Sequence, residues 1–158
     1  MRSAIVCGVT VSPLPGGVYY DRPGVAFVNW DTISHAVHME WQGWANSAEY
    51  REANDAIVTA LMANRSSKLL GDSRNLKVIK KSDQDWSNQD WFPRVLAAGL
   101  KRMALVIPQS GLAKMNVDEI LSKVPGTPLE VAYFATLDEA RGWLATPRAT
   151  PPVLQTPR

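Results

Sequence analysis

The stretch from Lys80 to Ile107, KKSDQDWSNQDWFPRVLAAGLKRMALVI, decides the fold class, because a helical pattern in it leads directly into a strand pattern. Ser82, with Asp85 three residues later, has the spacing of a helix N-cap. Pro93 predicts a kink or a new turn inside the helix. The apolar face of the helix continues beyond the proline, at Val95, Leu96 and Leu100. The apolar run RMALVI that follows predicts a buried strand.

The same alternation of strands and helices extends outward from this stretch in both directions. Further strands are predicted at 24–30, 34–41, 67–72 and 128–134, and further helices at 46–64, 116–124 and 136–144. A short turn at 31–33 joins the first two strands into an antiparallel hairpin. The order β-β-α-β-α-β-α-β-α predicts an α/β fold with a mixed, largely parallel sheet of about five strands flanked by helices.

Two of these elements carry finer signals. In the strand at 34–41, alternation places Val37, Met39 and Trp41 together on the core face. The helix that follows is predicted to begin at Asn46, with Glu49 completing a capping box, and to end at Asn64.

Both ends of the chain differ in composition from its middle. Residues 1–17 contain two prolines and a Gly-Gly pair, which predicts a flexible N-terminal arm. Residues 146–158 contain four prolines and no apolar periodicity, which predicts a disordered tail rich in proline and threonine. The folded domain is therefore expected to span 18–145.

Composition narrows the classes of function. The chain has 158 residues, a net charge of +2 and one cysteine. That charge is too small for a dedicated nucleic-acid binder, and a single cysteine forms no disulfide framework. No apolar run approaches the length of a membrane span, and the N-terminal apolar run lacks a convincing signal cleavage site. We expect a cytoplasmic protein.

No catalytic or cofactor-binding motif is recognisable. Glycine-rich phosphate loops and the nucleophile elbow are missing, and His35 and His38 fall on opposite faces of a predicted strand. We therefore expect no enzyme activity, no cofactor and no metal site. The alternative is a hydrolase using Asp83, Asp85 or Ser110, for which no set of nucleophile, base and orienting group can be assembled.

The loop between the strand at 67–72 and the next helix is the most suggestive site. Loops at the carboxyl end of parallel strands commonly meet ligands and partners. This one, with the first residues of the helix, brings together the predicted site residues Asp72, Ser73, Arg74, Lys77, Lys80, Lys81 and Ser82. Its cations and the free N–H groups at the helix start suit an anion. A solvated basic loop without function is the alternative.

The two tryptophans of the helix have different predicted roles. Trp91 aligns with Val95 and Ala98 on the buried face. Trp86 aligns with Asp90 on the more exposed side, so Trp86 is the predicted contact residue for a partner.

A family resemblance is carried by residues 71–108, GDSRNLKVIKKSDQDWSNQDWFPRVLAAGLKRMALVIP. This run resembles the small bacterial STAS-like proteins of the SpoIIAA-like superfamily, an uncharacterised subgroup of it, and the similarity extends over about 18–144. The resemblance implies a regulatory or protein-interaction module.

The resemblance also implies two specific activities. In anti-sigma-factor antagonists of this superfamily, a serine in a D-S-x-G stretch at the helix start is phosphorylated, and partner binding switches with it. The corresponding stretch here, IKKSDQ at 79–84, lacks D-S-x-G, and its nearest serine is Ser82. The fold is also shared with lipid-exchange domains of the CRAL-TRIO type, which need an apolar cavity.

Two functions remain open at this point. The first is a non-catalytic, cytoplasmic regulatory module that binds a protein partner through the 72–91 loop and helix edge, with a homodimer as a further possibility. The alternative is a small-molecule binder that holds an anion or a lipid on the same fold. The sequence predicts no nucleic-acid partner and no membrane span.

Overall fold

A computed structural model gives the architecture, and it describes residues 14–124 and 128–146 together with the backbone of residues 4–6 and 9–11. The strands are β1 (Ala4–Val6), β2 (Val9–Val11), β3 (Val18–Arg22), β4 (Ala26–Asp31), β5 (Ala36–Trp41), β6 (Lys68–Asp72), β7 (Arg102–Val106) and β8 (Glu130–Phe134). The helices are α1 (Ser47–Asn64), α2 (Lys81–Trp86), α3 (Phe92–Ala97), α4 (Gly111–Ser122) and α5 (Leu137–Ala145), with a π-helical turn at Ser87–Trp91 between α2 and α3.

The main sheet confirms the predicted fold class. Its strand order is β3-β4-β5-β6-β7-β8. The pairs β3–β4 and β4–β5 are antiparallel, whereas β5–β6, β6–β7 and β7–β8 are parallel. The sheet has six strands, one more than the five that were assigned, because the segment 18–22 adds an edge strand whose Tyr19 and Tyr20 are fully buried. A separate antiparallel pair, β1–β2, precedes it.

Helices cover both faces of the central strands. On one face, α1, α3 and α4 pack on a large apolar cluster that includes Val37, Met39 and Trp41, the residues that alternation placed on the core face. On the other face, α5 packs Ala140 and Leu144 against a smaller cluster containing Leu70, Ala104 and Val106. Parallel strands are stable when both faces are covered, which explains why every residue of β7 is buried.

Helix α1 begins as its sequence predicts. The Asn46 side chain accepts a hydrogen bond from the Glu49 backbone, and the Glu49 carboxylate accepts one from the Asn46 backbone, so both halves of the capping box form. The predicted end at Asn64 is wrong by one residue. Arg65 is the C-cap, in the left-handed conformation with φ of 49°, and its N–H bonds to carbonyls of the last helical turn.

Two predicted helix starts are wrong. Ser82 does not cap α2, because the carbonyl of Lys80 already accepts the N–H groups of Asp83 and Gln84, so Ser82 lies inside the first turn. Helix α4 begins at Gly111, not at residue 116, because the Ser110 hydroxyl caps it by accepting the Ala113 N–H at 3.2 Å.

The terminal predictions stay untested. Of the predicted arm, residues 1–3, 7–8 and 12–13 lie outside the described residues, as do residues 147–158 of the predicted tail. The hydroxyl of Tyr19 donates to the carbonyl of Leu14, and the backbone N–H of Gly16 donates to Asn64 Oδ1 at 2.7 Å. The residues just before β3 are thereby attached to the end of α1.

The segment after β5 lies directly against the β3–β4 turn. The Gly24 N–H donates to Gln42 Oε1 at 2.8 Å, and the Gln42 N–H donates to the Val25 carbonyl at 2.8 Å. A Cβ on Gly43 would stand 2.7 Å from the Gly24 carbonyl oxygen. Glycine at position 43 therefore permits this close approach, which fixes where the following Trp44 emerges.

We expect Gly43→Ala to lower the free energy of unfolding by about 1–3 kcal/mol, because the clash is with backbone that cannot turn away. Chemical denaturation checks this. Gly142→Ala is the control, since Gly142 lies in α5 with open space around it, and alanine there should stabilise by about 0.4–1 kcal/mol. An unchanged midpoint for Gly43→Ala would contradict the assigned contact.

Candidate functional site

The carboxyl ends of β5, β6 and β7 bring three connecting segments to one edge of the sheet. The segment after β5 carries Trp44, the segment after β6 is the loop 73–80, and the segment after β7 leads into α4. The loop is attached to its neighbours by backbone contacts. Ser73 N–H bonds to the Val106 carbonyl at 3.1 Å, Gln109 N–H to the Arg74 carbonyl at 3.2 Å, and Ile79 N–H to Asn116 Oδ1 at 2.8 Å.

The loop 73–80 is anchored through two apolar side chains. Leu76 and Ile79 are buried in the main core, whereas the residues between and beside them, Lys77, Val78 and Lys80, are exposed. The alternation of buried and exposed positions holds the loop in place and presents two lysines and a valine to solvent.

Asp72 and Arg74 form a closed pair at the start of this loop. The Arg74 guanidinium donates to both oxygens of Asp72, at 2.9 and 2.7 Å, and the Arg74 backbone N–H adds a third bond at 3.2 Å. Burial alone would raise the pKa of Asp72, but these hydrogen bonds and the charge of Arg74 outweigh it and hold the pKa below its usual value. Arg74 is thus engaged by a carboxylate of its own chain.

The other predicted site residues lie along the loop and α2 but do not converge. Lys81 pairs with Asp85 at 2.7 Å, and Ser82 is exposed beside it. The Lys80 ammonium lies 5.8 Å from the Trp44 ring centroid, which is within the range of a cation–π contact. Among the described residues, no ion pair involves Lys77 or Lys80. These two cations are therefore the ones open to an acidic partner, while the anion pocket expected from the loop's cations remains a prediction.

Asp83 is a buried docking residue. Its carboxylate accepts hydrogen bonds from Ser47 Oγ at 2.7 Å and from Arg51 Nε at 3.0 Å, both in the first half of α1. The Tyr50 hydroxyl, between them in sequence, bonds to Ser87 Oγ at 2.9 Å, and burial raises the pKa of Tyr50 to about 12. These contacts fasten α2 and the π-helical turn onto α1.

The π-helical turn follows from the proline that the sequence places next to it. The Phe92 N–H bonds to the Ser87 carbonyl, one residue farther back than in an α-helix. Pro93 then starts α3 with no N–H of its own to satisfy. The wider turn directs Ser87 and Trp91 inward, where the Trp91 indole donates to the Asn54 carbonyl at 2.6 Å. Trp91 is buried, as predicted.

Trp86 is half-buried. It lies between the guanidinium groups of Arg51 and Arg94, at 5.4 and 5.8 Å from its ring centroid, and meets the Tyr50 ring edge-on at 6.2 Å. It also packs against the main core. Trp86 remains the more exposed of the two helix tryptophans, and its role in a partner contact stays a prediction.

Sequence reasoning overlooked the exposed apolar side chains at this edge. Trp44, Val78, Leu112 and Met115 are exposed by 50%, 44%, 54% and 66%. Trp44 was unassigned between a strand and a helix, and Leu112 and Met115 preceded the predicted start of α4. The sequence contains one sign that Trp44, Leu112 and Met115 could form a surface, which is that they are apolar and lie outside the predicted helices and strands. We call Trp44, Lys77, Val78, Lys80, Leu112 and Met115 the carboxyl-edge surface.

A cavity of about 80 Å³ lies between the sheet and the helices of the main core. Apolar side chains dominate its lining, among them Met39, Leu76, Phe92, Leu105 and Val117, and the polar groups are those of Asn54, Ser73 and Ser87. An engineered cavity of roughly 150 Å³ in another protein accommodates benzene or xenon. The cavity here suits a small apolar molecule and is too small for a lipid chain.

The residues of the hydrolase alternative are not brought together. Asp83 is buried against α1, Asp85 pairs with Lys81 on the surface, and Ser110 caps α4. His35 lies in the β4–β5 turn and His38 in β5. The described residues contain no group of three or more potential metal-ligating side chains, and none of their helices is long and apolar enough to cross a membrane.

His38 is the titratable group whose surroundings predict a pH effect. Burial lowers the pKa of His38, and Arg141 acts in the same direction, although Asp31, Glu40 and Asp72 favour the charged ring. Its Nδ1 lies 3.1 Å from Asn29 Oδ1, and its Nε2 has no partner among the described residues. The folded protein therefore holds this ring neutral at pH values where the unfolded chain binds a proton.

We expect the free energy of unfolding to fall as the pH drops from about 6.5, the unfolded pKa of histidine, toward the lower pKa of folded His38. Denaturation at a series of pH values between 7 and 5 measures this. His38→Gln should flatten the profile, whereas the control His35→Asn, in the exposed turn, should retain it. An identical slope in His38→Gln would contradict this assignment.

One family model matches the chain. It is described as SpoIIAA-like, and it matches residues 36–145, from the start of β5 to the end of α5. No curated protein and no solved structure is similar enough to the chain to count as a match. The matched range contains the whole carboxyl-edge surface and the cavity, and it omits β3 and β4.

Proposed function

The chain belongs to the SpoIIAA-like family, and from this premise we propose that it is a non-catalytic, cytoplasmic regulatory module that binds a protein partner through its carboxyl-edge surface. The observation that carries the proposal is the row of exposed apolar side chains beside Lys77 and Lys80. Membership of the family supports a STAS-type regulatory domain.

The apolar part of the surface provides the binding free energy in this proposal. Contacts tie its three segments into one edge: Lys80 lies over Trp44, and Ile79 bonds to Asn116, next to Met115. Leu112 and Met115 are three residues apart in α4 and share a face. Exposed apolar groups set among polar ones are typical of protein-interaction sites, and tryptophan is enriched among residues that dominate binding.

The charges of the surface specify the chemistry of the partner. Arg74 and Lys81 are neutralised by Asp72 and Asp85, so the charges left over come from Lys77 and Lys80. A partner segment that combines apolar side chains with carboxylates fits this arrangement. The charge pairing would favour the association rate and the choice of partner more than the affinity.

Ser82 is the residue at which we propose that binding is regulated. It is exposed in the first turn of α2, next to Lys80 and Lys81. A phosphate would add nearly two negative charges beside Lys80 and Lys81 and repel an acidic partner.

The double variant that combines Trp44→Ala and Lys80→Glu should bind the partner much more weakly and should still fold. Removing a central tryptophan costs about 2 kcal/mol or more in binding, roughly 30-fold in Kd. The loss is measured by recovering tagged variants from the protein's own cells and comparing the bound proteins by quantitative mass spectrometry. The variant Ser82→Glu should also bind less partner.

Met62→Ala is the matched control, because Met62 is 64% exposed on α1, away from this edge. A protein that is recovered equally with the double variant and with the control does not bind at the carboxyl edge, and that result would overturn the assignment.

The cavity favours a second function, binding of a small apolar molecule. Its lining is mostly apolar, and the polar side chains of Asn54, Ser73 and Ser87 border it. A lipid headgroup or anion near Arg74 has less support, because Asp72 already engages that guanidinium.

If the cavity is a ligand site, xenon or a small apolar compound should raise the melting temperature. At a hundred-fold excess over Kd, the ligand should increase the free energy of unfolding by about 2.7 kcal/mol. Val117→Leu, which adds a methylene group to the lining, should raise the melting temperature without ligand and remove the response. A wild-type protein that shows no shift with any apolar compound would exclude this function.

A further inference from the structure

Strand β8 is an open edge of the main sheet. Of the strands that the structure describes, β7 alone pairs with it. Its sequence EVAYF contains no proline and no lysine, and its ladder with β7 runs without a register shift. Natural sheets usually protect such an edge with charges, prolines or bulges, because an open edge pairs readily with another strand.

The opposite edge of the same sheet is protected. Strand β3 carries the charged residues Asp21 and Arg22, and its pairing with β4 shifts register between Val18 and Tyr20. A bulge and charges of this kind disfavour further pairing, and β2 also lies against β3. The contrast between the two edges singles out β8.

The hydrogen bonds between β7 and β8 determine which groups of β8 point outward. The Glu130 N–H bonds to the Lys101 carbonyl at 2.9 Å, and the Phe134 carbonyl accepts from the Ile107 N–H at 3.0 Å. In a parallel ladder with this register, residues 130, 132 and 134 direct their backbone groups toward β7. The N–H and C=O groups of Val131 and Tyr133 therefore point away from the sheet.

We infer that β8 pairs antiparallel with β8 of a second copy of this chain, around a two-fold axis at Ala132, to form one continuous sheet across a homodimer. In this register Val131 lies opposite Tyr133 of the second copy, and each of the two symmetric pairs exchanges two backbone hydrogen bonds. A two-fold interface requires such self-complementarity, and β8 provides it.

The side chains of β8 fit this register. Ala132 lies opposite its own copy in a non-hydrogen-bonded pair, where Cα atoms come within about 4.5 Å, and a small side chain is suited to that position. Val131 lies opposite the aromatic ring of Tyr133, which is 38% exposed, in a favourable aliphatic–aromatic pair. Glu130 falls opposite Phe134 instead of its own copy, and it is paired with Arg102 of its own chain.

The proposed interface lies on a different part of the molecule from the carboxyl-edge surface and does not depend on the proposed function. Tyr133 contacts α4, where its hydroxyl donates to Asp118 at 2.9 Å and the Lys114 ammonium lies 5.2 Å from its ring centroid. Each copy of the dimer would leave Trp44 and Val78 accessible.

Light scattering coupled to size-exclusion chromatography tests the inference on the full chain. We expect twice the mass of the 17.4 kDa chain for the wild type and a two-fold lower mass for Val131→Pro. Proline at 131 removes an outward N–H and leaves the ladder with β7 intact. The control Val131→Thr keeps that N–H and a similar shape, so it should remain dimeric. A wild type with the mass of one chain, or a dimer that persists in Val131→Pro, would overturn the inference.

Amide hydrogen exchange of the wild type decides the matter if Val131→Pro does not fold. The amides of Val131, Ala132, Tyr133 and Phe134 should all be protected in the dimer. Diluting the protein should remove the protection of Val131 and Tyr133 and leave that of Ala132 and Phe134. If Val131 and Tyr133 exchange freely at every concentration while Ala132 and Phe134 stay protected, the β8 edge is open to solvent and the inference is wrong.

Discussion

The buried carboxylate of Asp83 is the contact on which the arrangement of the site depends. It joins the start of α2 to Ser47 and Arg51 of α1, and the Tyr50–Ser87 hydrogen bond continues the same junction one turn later. A buried carboxylate is costly unless it is fully hydrogen-bonded, so this junction permits little displacement of α2. Since the loop 73–80 ends where α2 begins, fixing α2 also fixes the loop and the exposed residues that it carries.

The π-helical turn is part of the same junction. The Tyr50 hydroxyl bonds to Ser87, and the Asn54 carbonyl accepts from the Trp91 indole. Ser87 and Trp91 are four residues apart and both face α1. The Phe92 N–H bonds back to the Ser87 carbonyl, and Pro93 has no N–H that would need a partner in the widened turn. The sequence stretch that determines the fold class thus also determines how the site is supported.

The sequence predicted most of the fold, because buried apolar residues recur with the period of the helix or strand that contains them. The apolar strands β5, β6, β7 and β8, the capping box of α1 and the buried Trp91 were all readable from spacing. Strand β3 was missed because its buried residues, Tyr19 and Tyr20, are adjacent and not alternating, a consequence of the local register shift. The π-helical turn was missed because Pro93 by itself predicts a kink or a new turn, and the bond from the Phe92 N–H to the Ser87 carbonyl cannot be read from spacing.

The sequence predicted that the loop 73–80 lies at the carboxyl ends of the parallel strands, and the role of that loop as a binding site stays a prediction. The rule that function gathers at the carboxyl ends of parallel strands pointed to the loop 73–80. Formal charge could not show that Arg74 and Lys81 are paired within the chain, since that depends on where Asp72 and Asp85 lie in three dimensions. Exposure of Trp44, Leu112 and Met115 was equally unreadable, because an apolar residue in a connecting segment is as often buried as exposed.

A photo-crosslinking amino acid at position 78, introduced in the protein's own cells, shows directly whether a protein partner binds at the carboxyl edge. The control carries the same group at position 33, which is 65% exposed in the β4–β5 turn at the other end of these strands. We expect a covalent adduct with one defined protein from position 78 and none with that protein from position 33. Adducts that are the same from both positions, or that form from position 33 alone, would contradict a binding surface at the carboxyl edge.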